Sequence, residues 1–391
     1  MLNTPFSPWP SFSQQEADAV STVLLSNKVN YWTGSECREF EKEFATWCQV
    51  PHAVALANGT VALDLALKAL HIGAGDEVIV TPRTFLASVS SIVTAGAIPV
   101  FADVDRDSQN ITPETVSKVI TPRTKAIIAV HLAGWPCDME GLMLLAQQHH
   151  LVVIEDCAQA HGALWHGKPV GSLGHAAAWS FCQDKIMTTG GEGGMLTTND
   201  HALWSSAWSY KDHGKSFDAV YNRQHAPGFR WLHESFGTNW RMLEMQGVIG
   251  RIQLQRMPDW HEARKANAIS ILAACAESPA LRVPEVPSYI EHAWYRAYAF
   301  VRPEKLAAGW NRDRIMNEIV ARGVPCYSGS CSEVYLEKAF DGTNWRPSEP
   351  LPVARELGET SLMFLTHPTL TAAEIEKTCQ VVREVMLEAQ L

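Results

Sequence analysis

The sequence lacks the features that mark membrane, secreted and nucleic-acid-binding proteins. No apolar run approaches the ~20 residues that a membrane-spanning helix needs. The first ten residues contain neither the basic nor the apolar segment of a signal peptide. The formal charge of −10 leaves no general basic excess for nucleic acid, although it is compatible with a local basic pocket for a phosphorylated ligand. We therefore expect a soluble cytoplasmic protein that binds neither nucleic acid nor membrane.

Cysteine and histidine are present without the spacing of a disulfide or metal framework. The nine cysteines are scattered singly, with no Cys-x-x-Cys pair, which is typical of free thiols in a reducing cytoplasm. The pairs His149/His150 and His161/His166 lack carboxylate or cysteine partners at ligand spacing. We predict no metal site.

The length and composition indicate a globular protein with more than one core. A chain of 391 residues is too long for one small domain, and its apolar fraction of 46% and charged fraction of 19% are those of a soluble globular protein. We expect a large domain at residues 1–255, opening with an N-terminal arm, and a smaller domain at residues 256–391. In the arm, Ser13 followed by Glu16 predicts a capped helix, and residues 36–47 predict a second helix.

From His52 onward, short apolar runs alternate with helical patterns. Such runs predict strands of a largely parallel sheet that is covered by helices on both faces. In such sheets ligands bind beyond the carboxyl ends of the strands. The pattern predicts strands at residues 53–57, 77–80, 98–101, 126–130, 151–155, 176–181 and 195–198, and helices at 61–70, 84–95, 112–119 and 138–149. In the smaller domain it predicts helices at 259–276, 312–322 and 372–389 and a strand at 295–301.

One stretch, residues 179–199, organises the interpretation of the whole chain. Lys185 lies in a polar turn between two predicted strands, and four glycines interrupted only by Glu192 come after it. A lysine displayed beside a glycine-rich backbone can anchor an aldehyde cofactor, because burial or nearby positive charge lowers its pKa and only the neutral amine attacks a carbonyl. The alternative is a surface lysine on a flexible loop.

The residues directly after the other strands supply complementary groups. Gly59 and Thr60 open a helix whose free N–H groups and hydroxyl can hold a phosphate, and Ser180 adds a second hydroxyl. Phe85 offers an aromatic face, and Asp156 is a carboxylate at the end of a buried strand. Taken singly, each has an ordinary explanation: a helix cap for Gly59–Thr60 or for Asp156, and a core position for Phe85.

Pyridoxal 5′-phosphate uses all of these groups together. It needs an amine for its aldehyde, a site for its phosphate, a flat partner for its ring, and a carboxylate that keeps its ring nitrogen protonated. Lys185, Gly59–Thr60 with Ser180, Phe85 and Asp156 meet those four needs. We therefore predict a pyridoxal-phosphate enzyme.

Five stretches together resemble the DegT/DnrJ/EryC1/StrS family of sugar aminotransferases. The resemblance extends over about residues 10–385, and the stretches around Asp156 and Lys185 are its most specific part. Three departures, none of which removes a catalytic group, are Cys157 in place of a small residue, the lengthened glycine run at Gly190–Gly191, and Phe85 where some members have tryptophan. The stretches are residues 57–63, 155–162, 180–185, 191–194 and 237–244.

The resemblance implies the α/β fold of aspartate aminotransferase (the type I pyridoxal-phosphate fold), with a mostly parallel sheet in the large domain and a smaller C-terminal α+β domain. It also implies a homodimer with shared active sites, in which Asn239 reaches the cofactor phosphate of the other subunit. Gln159 would bond the ring hydroxyl, although a solvated loop position is its alternative. His213–Gly214 looks like a loop near the donor site.

The resemblance implies that L-glutamate donates an amino group to a nucleotide-linked keto sugar, which we expect to be a 4-keto-6-deoxy sugar used for surface polysaccharide or a related glycan. A sugar deoxygenase of the same family is the nearest alternative, but such enzymes carry histidine at the position of Lys185. A cofactor-free regulatory protein that binds nucleotide sugars is a second alternative. A dehydrogenase would need Gly-x-Gly-x-x-Gly after the first strand, where the chain has none. Residues 292–295 are candidates for the sugar site, and residues 327–331 form either a substrate-facing loop or a connector.

Overall fold

The computed structural model describes residues 5–228 and 230–390. Its α-helices are α1 (Gln14–Leu25), α2 (Glu36–Trp47), α3 (Gly59–Ala69), α4 (Ala87–Thr94), α5 (Pro113–Ser117), α6 (Met139–His149), α7 (His201–Lys211), α8 (Phe217–Tyr221), α9 (Glu244–Ala276), α10 (Arg312–Ala321), α11 (Pro352–Thr360) and α12 (Ala372–Ala389). Its strands are β1 (His52–Leu56), β2 (Glu77–Val80), β3 (Ile98–Phe101), β4 (Thr124–Val130), β5 (Val152–Asp156), β6 (Leu164–Trp165), β7 (Lys168–Pro169), β8 (Ala176–Ser180), β9 (Gly194–Thr198), β10 (Leu281–Arg282), β11 (Ile290–Glu291), β12 (Arg296–Val301), β13 (Cys326–Tyr327) and β14 (Ser361–Leu365). Short 3₁₀ helices lie at Leu132–Gly134, Pro303–Lys305, Val334–Leu336 and Lys338–Phe340.

A seven-stranded sheet forms the centre of the large N-terminal part. Its order is β1-β9-β8-β5-β4-β2-β3. The pairs from β8 through β5, β4 and β2 to β3 are parallel, whereas β9 runs antiparallel to both β8 and β1. Every residue of β2, β8 and β9 is buried, as expected for apolar strands covered on both faces. The predicted fold class, an α/β protein with a mostly parallel sheet, is confirmed.

The C-terminal part has its own antiparallel sheet and apolar core. The sheet order is β10-β12-β14-β13, and α10, α12 and the second half of α9 bury apolar side chains against it. A separate three-stranded sheet, β11-β6-β7, joins a C-terminal strand to two strands of the large part. The smaller C-terminal region is thus α+β, as the sequence predicted.

Helix α9 begins earlier than the sequence predicted. The predicted start at Asp259 was wrong, because the helix begins at Glu244 and passes through Pro258 without ending. Proline removes one backbone donor from a helix interior, but packing against α1, α2 and α12 holds both halves of α9 in place. The proposed boundary between residues 255 and 256 falls inside this continuous helix and remains a prediction.

Several other elements differ from the predicted ones. Residues 84–86 precede α4 instead of forming its first turn. The sequence analysis did not identify α7, α8, α11 or β14. Within the described ranges, no helix combines the length and apolar character required to cross a bilayer.

Candidate active site

The sheet register brings the predicted site residues to one edge. Asp156 ends β5 and pairs with Ala178 of β8, two residues before Ser180. Ser180 in turn lies opposite Gly194, which lies opposite Leu56 at the end of β1. The carboxylate, the serine and the turn into α3 therefore meet at the carboxyl ends of the parallel strands.

The start of α3 approaches Ser180 very closely. A Cβ added at Gly59 would lie 2.5 Å from the Ser180 Cβ, so only glycine fits there without movement. The Asn58 side chain caps the helix by accepting the N–H of Val61 at 3.0 Å, and Thr60 is exposed. The first N–H groups of a helix have no intrahelical partner. Together with the Thr60 and Ser180 hydroxyls, they form a cradle suited to a phosphate.

Asp156 is a buried carboxylate with both oxygens engaged. Its Oδ2 accepts a hydrogen bond from the Ser88 hydroxyl at 2.7 Å, and its Oδ1 accepts the N–H of Ala158 at 3.1 Å. The N–H of Ser88 donates to the carbonyl of Phe85 at 3.2 Å. The Phe85 ring is 73% exposed, unlike the core position that was its alternative. An uncovered aromatic ring thus lies on the turn that also orients the carboxylate.

Gln159 is fixed by the backbone of a neighbouring loop. Its side-chain oxygen accepts the N–H of Ala133 at 2.7 Å, and Ala133 has a positive φ of 58°. This bond leaves the amide NH₂ of Gln159 as a donor. Gln159 is half-buried, so its position is not that of a fully solvated loop residue.

Lys185 lies in the loop between β8 and β9, and its side chain is only 16% exposed. Its Nζ is 3.9 Å from an Asp184 oxygen and 5.2 Å from the centre of the Tyr295 ring. The indole N–H of Trp9 donates to the Lys185 carbonyl at 2.8 Å. The N-terminal arm thus holds the main chain of this loop, while the start of the C-terminal sheet contacts its side chain.

The charges around Lys185 overturn one expectation. Burial alone lowers the pKa of Lys185, but Tyr295, Asp184 and Asp156 outweigh it and raise that pKa above its ordinary value. The expectation that this lysine loses its proton easily is therefore wrong for the protein alone. In the cofactor-free chain, Lys185 is an ammonium group at neutral pH.

Asn239 and His213 lie on adjoining segments that do not enter this cluster. Asn239 is exposed and forms an isolated β-bridge with Asp212, and the N–H of His213 donates to the Thr238 carbonyl at 2.8 Å. The carbonyl of Trp240 accepts the N–H of Ala57 at 2.9 Å, so the segment runs beside the end of β1. Among the described residues, no hydrogen bond joins the Asn239 side chain to the other candidates. Its predicted contact with a second subunit remains a prediction.

The residues between β13 and Ser332 dock beside the turn that carries Phe85. The carbonyl of Cys331 accepts the N–H of Thr84 at 3.1 Å, and the N–H of Ser330 donates to the Tyr298 hydroxyl at 3.0 Å. The guanidinium of Arg83 donates to the Ser332 hydroxyl at 2.8 Å. The segment therefore borders the site and also connects β13 to the next 3₁₀ helix of the chain.

A buried cluster of metal-ligating residue types lies behind the site. One ligand atom each of His131, Glu155 and Cys157 lies within 4.8 Å of the others. The N–H of Cys137 donates to His131 Nδ1 at 2.9 Å, so Nε2 carries the proton and donates to Glu155 at 3.0 Å. Glu155 also accepts three backbone N–H groups at 2.7–2.9 Å. These hydrogen bonds explain the burial of His131 and Glu155, which stabilise the end of β5.

The residues present fit pyridoxal phosphate. The close approach of Gly59 to Ser180 leaves a cradle that any larger side chain at residue 59 would fill. The uncovered Phe85 ring, the buried Asp156 carboxylate and the shielded Lys185 amine provide the other groups that the cofactor requires.

Sequence analysis did not identify Ser88, Asp184 or Trp9, although each contacts a predicted site residue. Asp184 could have been identified from the sequence, because it directly precedes Lys185. Tyr295 lies in the stretch suspected of lining the sugar site, but its contact with Asp184 has no local signal in the sequence. Trp9 is 176 residues away from Lys185 in the chain, and nothing in the sequence indicates their contact.

Comparison with known proteins agrees with this geometry. The profile of the DegT/DnrJ/EryC1/StrS aminotransferase family matches residues 10–383. The crystal structure of an aminotransferase from Psychrobacter cryohalolentis is 64% identical, with a TM-score of 0.96 and coverage of 98% of this chain and 99% of that one. The GDP-perosamine synthase of Caulobacter vibrioides is 37% identical over 355 residues, covering 89% of this chain and 90% of the relative.

A third relative, the dTDP-3-amino-3,4,6-trideoxy-alpha-D-glucose transaminase of Streptomyces venezuelae, is 35% identical over 366 residues, covering 94% of this chain and 90% of the relative. These matches extend over nearly the whole chain, and they confirm the predicted resemblance, enzyme class and cofactor. The chain is a pyridoxal-phosphate-dependent enzyme and belongs to the DegT/DnrJ/EryC1/StrS aminotransferase family.

Proposed function

We propose that this enzyme transfers the amino group of L-glutamate to a nucleotide-linked keto sugar, and that the acceptor is a 4-keto-6-deoxy sugar. The product would be an amino sugar for surface polysaccharide or a related glycan. The observation that carries the proposal is the shielded Lys185 amine, at the sheet edge that also holds Asp156 and the cradle at Gly59. The two curated relatives act, by their names, on GDP-linked and dTDP-linked sugars.

The site residues divide the binding of the cofactor among them. When bound, pyridoxal phosphate accepts the electrons that remain on a substrate carbon after that carbon loses a proton. The N–H groups at Gly59 and Thr60, with the Ser180 hydroxyl, would hold the phosphate. The carboxylate of Asp156 would face the ring nitrogen, with Ser88 keeping it oriented.

Three further contacts belong to the same proposal. Phe85 would pack against one face of the ring, and Gln159 would donate its free NH₂ to the ring hydroxyl. We propose a homodimer in the cytoplasm, in which Asn239 reaches the phosphate site of the other subunit. Its exposure on the segment beside β1 leaves it available for such a contact.

Lys185 would move the proton. Once the donor amino acid is in place, Nζ would remove the proton from the carbon that bears the amino group, and in the reverse half of the reaction it would deliver a proton to the sugar carbon that receives the amino group. Only a neutral amine can do this, and the acid groups around Nζ stabilise the ammonium that results. The limited exposure of the side chain keeps that proton from exchanging freely with solvent.

The substrate is tested with a panel of dTDP-, GDP- and UDP-linked 3-keto and 4-keto sugars, each supplied with glutamate and analysed by mass spectrometry for amino sugar. We expect product with a 4-keto-6-deoxy member. Product from a 3-keto member alone would refute the proposed position, and no product from any member with the loaded protein would refute the substrate class.

The role of Lys185 is tested by Lys185→Ala. We expect loss of turnover together with the visible absorption of the lysine-linked cofactor, because Lys185 supplies the amine at that place in the part of the chain that the structure describes. Lys168→Ala is the matched control, since Lys168 is exposed on β7, and it should keep both properties. Turnover retained by Lys185→Ala would reject the assignment.

A further inference from the structure

Asp184 is surrounded by three groups that fix its carboxylate beside Lys185. The Tyr295 hydroxyl donates to its Oδ2, and Arg296 Nη2 lies 3.6 Å from the same oxygen. The other oxygen, Oδ1, is 3.9 Å from Lys185 Nζ. One oxygen is thus held by the start of the C-terminal sheet, while the other faces the amine.

The arrangement does not have the geometry of an ordinary surface ion pair. The Asp184 side chain is 54% exposed, yet those of Lys185 and Arg296 are only 16% and 11% exposed. Tyr295 is buried, and the Arg296 guanidinium stacks over its ring at 4.2 Å. The groups that hold the carboxylate are therefore themselves immobilised by packing, so the position of Asp184 is set before any ligand binds.

None of the other charged or titratable groups named around Lys185 among the described residues takes the place of Asp184. The carboxylate oxygens of Asp156 are engaged by Ser88 and Ala158. His161 is neutral, because burial lowers its pKa to about 3. The Cys182 thiol and the buried Arg264, whose guanidinium nitrogens have no hydrogen-bond partner among the described residues, complete the surroundings. Asp184 is the carboxylate whose Oδ1 faces Nζ.

We propose that Asp184, held by Tyr295 and Arg296, is a positioning residue that orients the Lys185 amine and stabilises the positive charge it gains on taking a proton. The inference rests on the proposed role of Lys185. In that step a C–H bond of the donor breaks, its electron pair stays with carbon, and an N–H bond forms at Nζ. The new ammonium lies beside a carboxylate that has not had to move, which is how preorganised charge lowers a barrier.

The primary test measures the proton affinity of Lys185 in the cofactor-free chain. The rate at which acetic anhydride labels Lys185 is followed across pH by peptide mass spectrometry, because only the neutral amine reacts. Asp184→Asn keeps the shape of the side chain and removes its charge. At this separation and partial exposure, we expect the labelling midpoint to fall by about one pH unit.

Two further variants make the result specific. Asp313→Asn is the matched control, since Asp313 is an exposed aspartate paired with Arg312 in α10, and it should leave the midpoint unchanged. Tyr295→Phe removes the hydroxyl that orients Asp184 but keeps the ring, and we expect the labelling midpoint to fall in the same direction. An unchanged midpoint in Asp184→Asn, or an equal fall in Asp313→Asn, would overturn the proposal.

A second measurement uses the cofactor-loaded enzyme. The single-turnover rate with glutamate alone should fall at least tenfold in Asp184→Asn, while the concentration of glutamate at half-maximal rate changes less than threefold. A weakening of glutamate binding with an unchanged maximal rate would instead assign Asp184 to donor binding and reject the positioning role. Neither measurement involves the sugar, so failure of the sugar panel and failure of this proposal are separate outcomes.

Discussion

Gly59 offers the sharpest test of the cradle at the start of α3. In Gly59→Ala the new methyl group would meet Ser180 Cβ at 2.5 Å, Oγ at 2.9 Å and Cα at 3.0 Å. The last of these is backbone, so a side-chain rotation cannot relieve the clash. Residue 59 is not among those with positive φ, and the effect is therefore purely one of space. Overpacking of this kind destabilises by about 1–3 kcal/mol.

The methyl group would force α3 away from Ser180 at the place where we propose that the cofactor phosphate binds. If the whole overpacking free energy appears as weaker cofactor binding, the affinity for pyridoxal phosphate falls by roughly 5- to 150-fold, since about 1.4 kcal/mol corresponds to a factor of ten. Gly73→Ala is the matched control, because its nearest neighbour would be the Ala95 carbonyl oxygen at 3.4 Å. That variant should bind the cofactor normally and unfold at an unchanged or slightly higher urea concentration.

A double-mutant cycle identifies the cause. Ser180→Gly removes the atoms that the methyl group would strike, at the expense of a hydroxyl. We expect the double variant Gly59→Ala/Ser180→Gly to lose at least about 1 kcal/mol less than the sum of the single losses, as measured by cofactor titration and urea unfolding. Additive losses, or a Gly59→Ala variant that behaves like Gly73→Ala, would show that the close approach does not shape the site.

Two further predictions concern buried titratable side chains. Asp156→Asn should keep the fold, because the amide oxygen can still accept from Ser88, but should slow the single-turnover reaction with glutamate roughly 100-fold or more; a rate within threefold of the parent would refute the role of Asp156. Burial lowers the pKa of His161 to about 3. Below pH about 6.5, the ordinary pKa of histidine, the unfolded chain therefore binds a proton at His161 that the folded chain does not bind. The free energy of unfolding consequently falls as the pH falls from about 6.5 toward 3. The free energy of unfolding should therefore drop by about 2 kcal/mol less between pH 7 and pH 5 in His161→Gln than in the parent, and equal drops would contradict this reasoning.

The candidates brought together by the sheet were predictable because they lie at or just beyond the carboxyl ends of strands. A buried apolar run marks a strand, and parallel strands end at a common edge, so the sequence alone assigns Asp156, Ser180 and Gly59 to one place. The register then sets their separation. The same reasoning placed Phe85 after β2 but wrongly included it in a helix over residues 84–95, because the helix begins at Ala87.

Contacts between segments that are distant in the sequence could not be predicted from the strand and helix pattern. Trp9 lies 176 positions from Lys185, and Tyr295 lies 111 positions from Asp184, and no periodicity links either residue to this loop. The protonation state of Lys185 was mispredicted for this reason. Burial was foreseen and lowers the pKa, but the opposing groups include Tyr295, which only the folded chain brings near. The start of α9 was mispredicted at Asp259, whereas tertiary packing holds a helix that begins at Glu244 and continues through Pro258.

These long-range contacts bear on whether the two predicted domains can act separately. Lys185 belongs to the large part, yet its main chain is held by the arm through Trp9 and its side chain faces Tyr295 from the C-terminal sheet. Helix α9 crosses residue 255 without a break and buries side chains in both cores. A chain ending at residue 255 would keep Asp156 and the cradle at Gly59 but lose the groups that orient Asp184. The groups that we propose to move the proton therefore depend on both parts of the chain, even though the residues proposed to bind the cofactor within one chain precede the boundary.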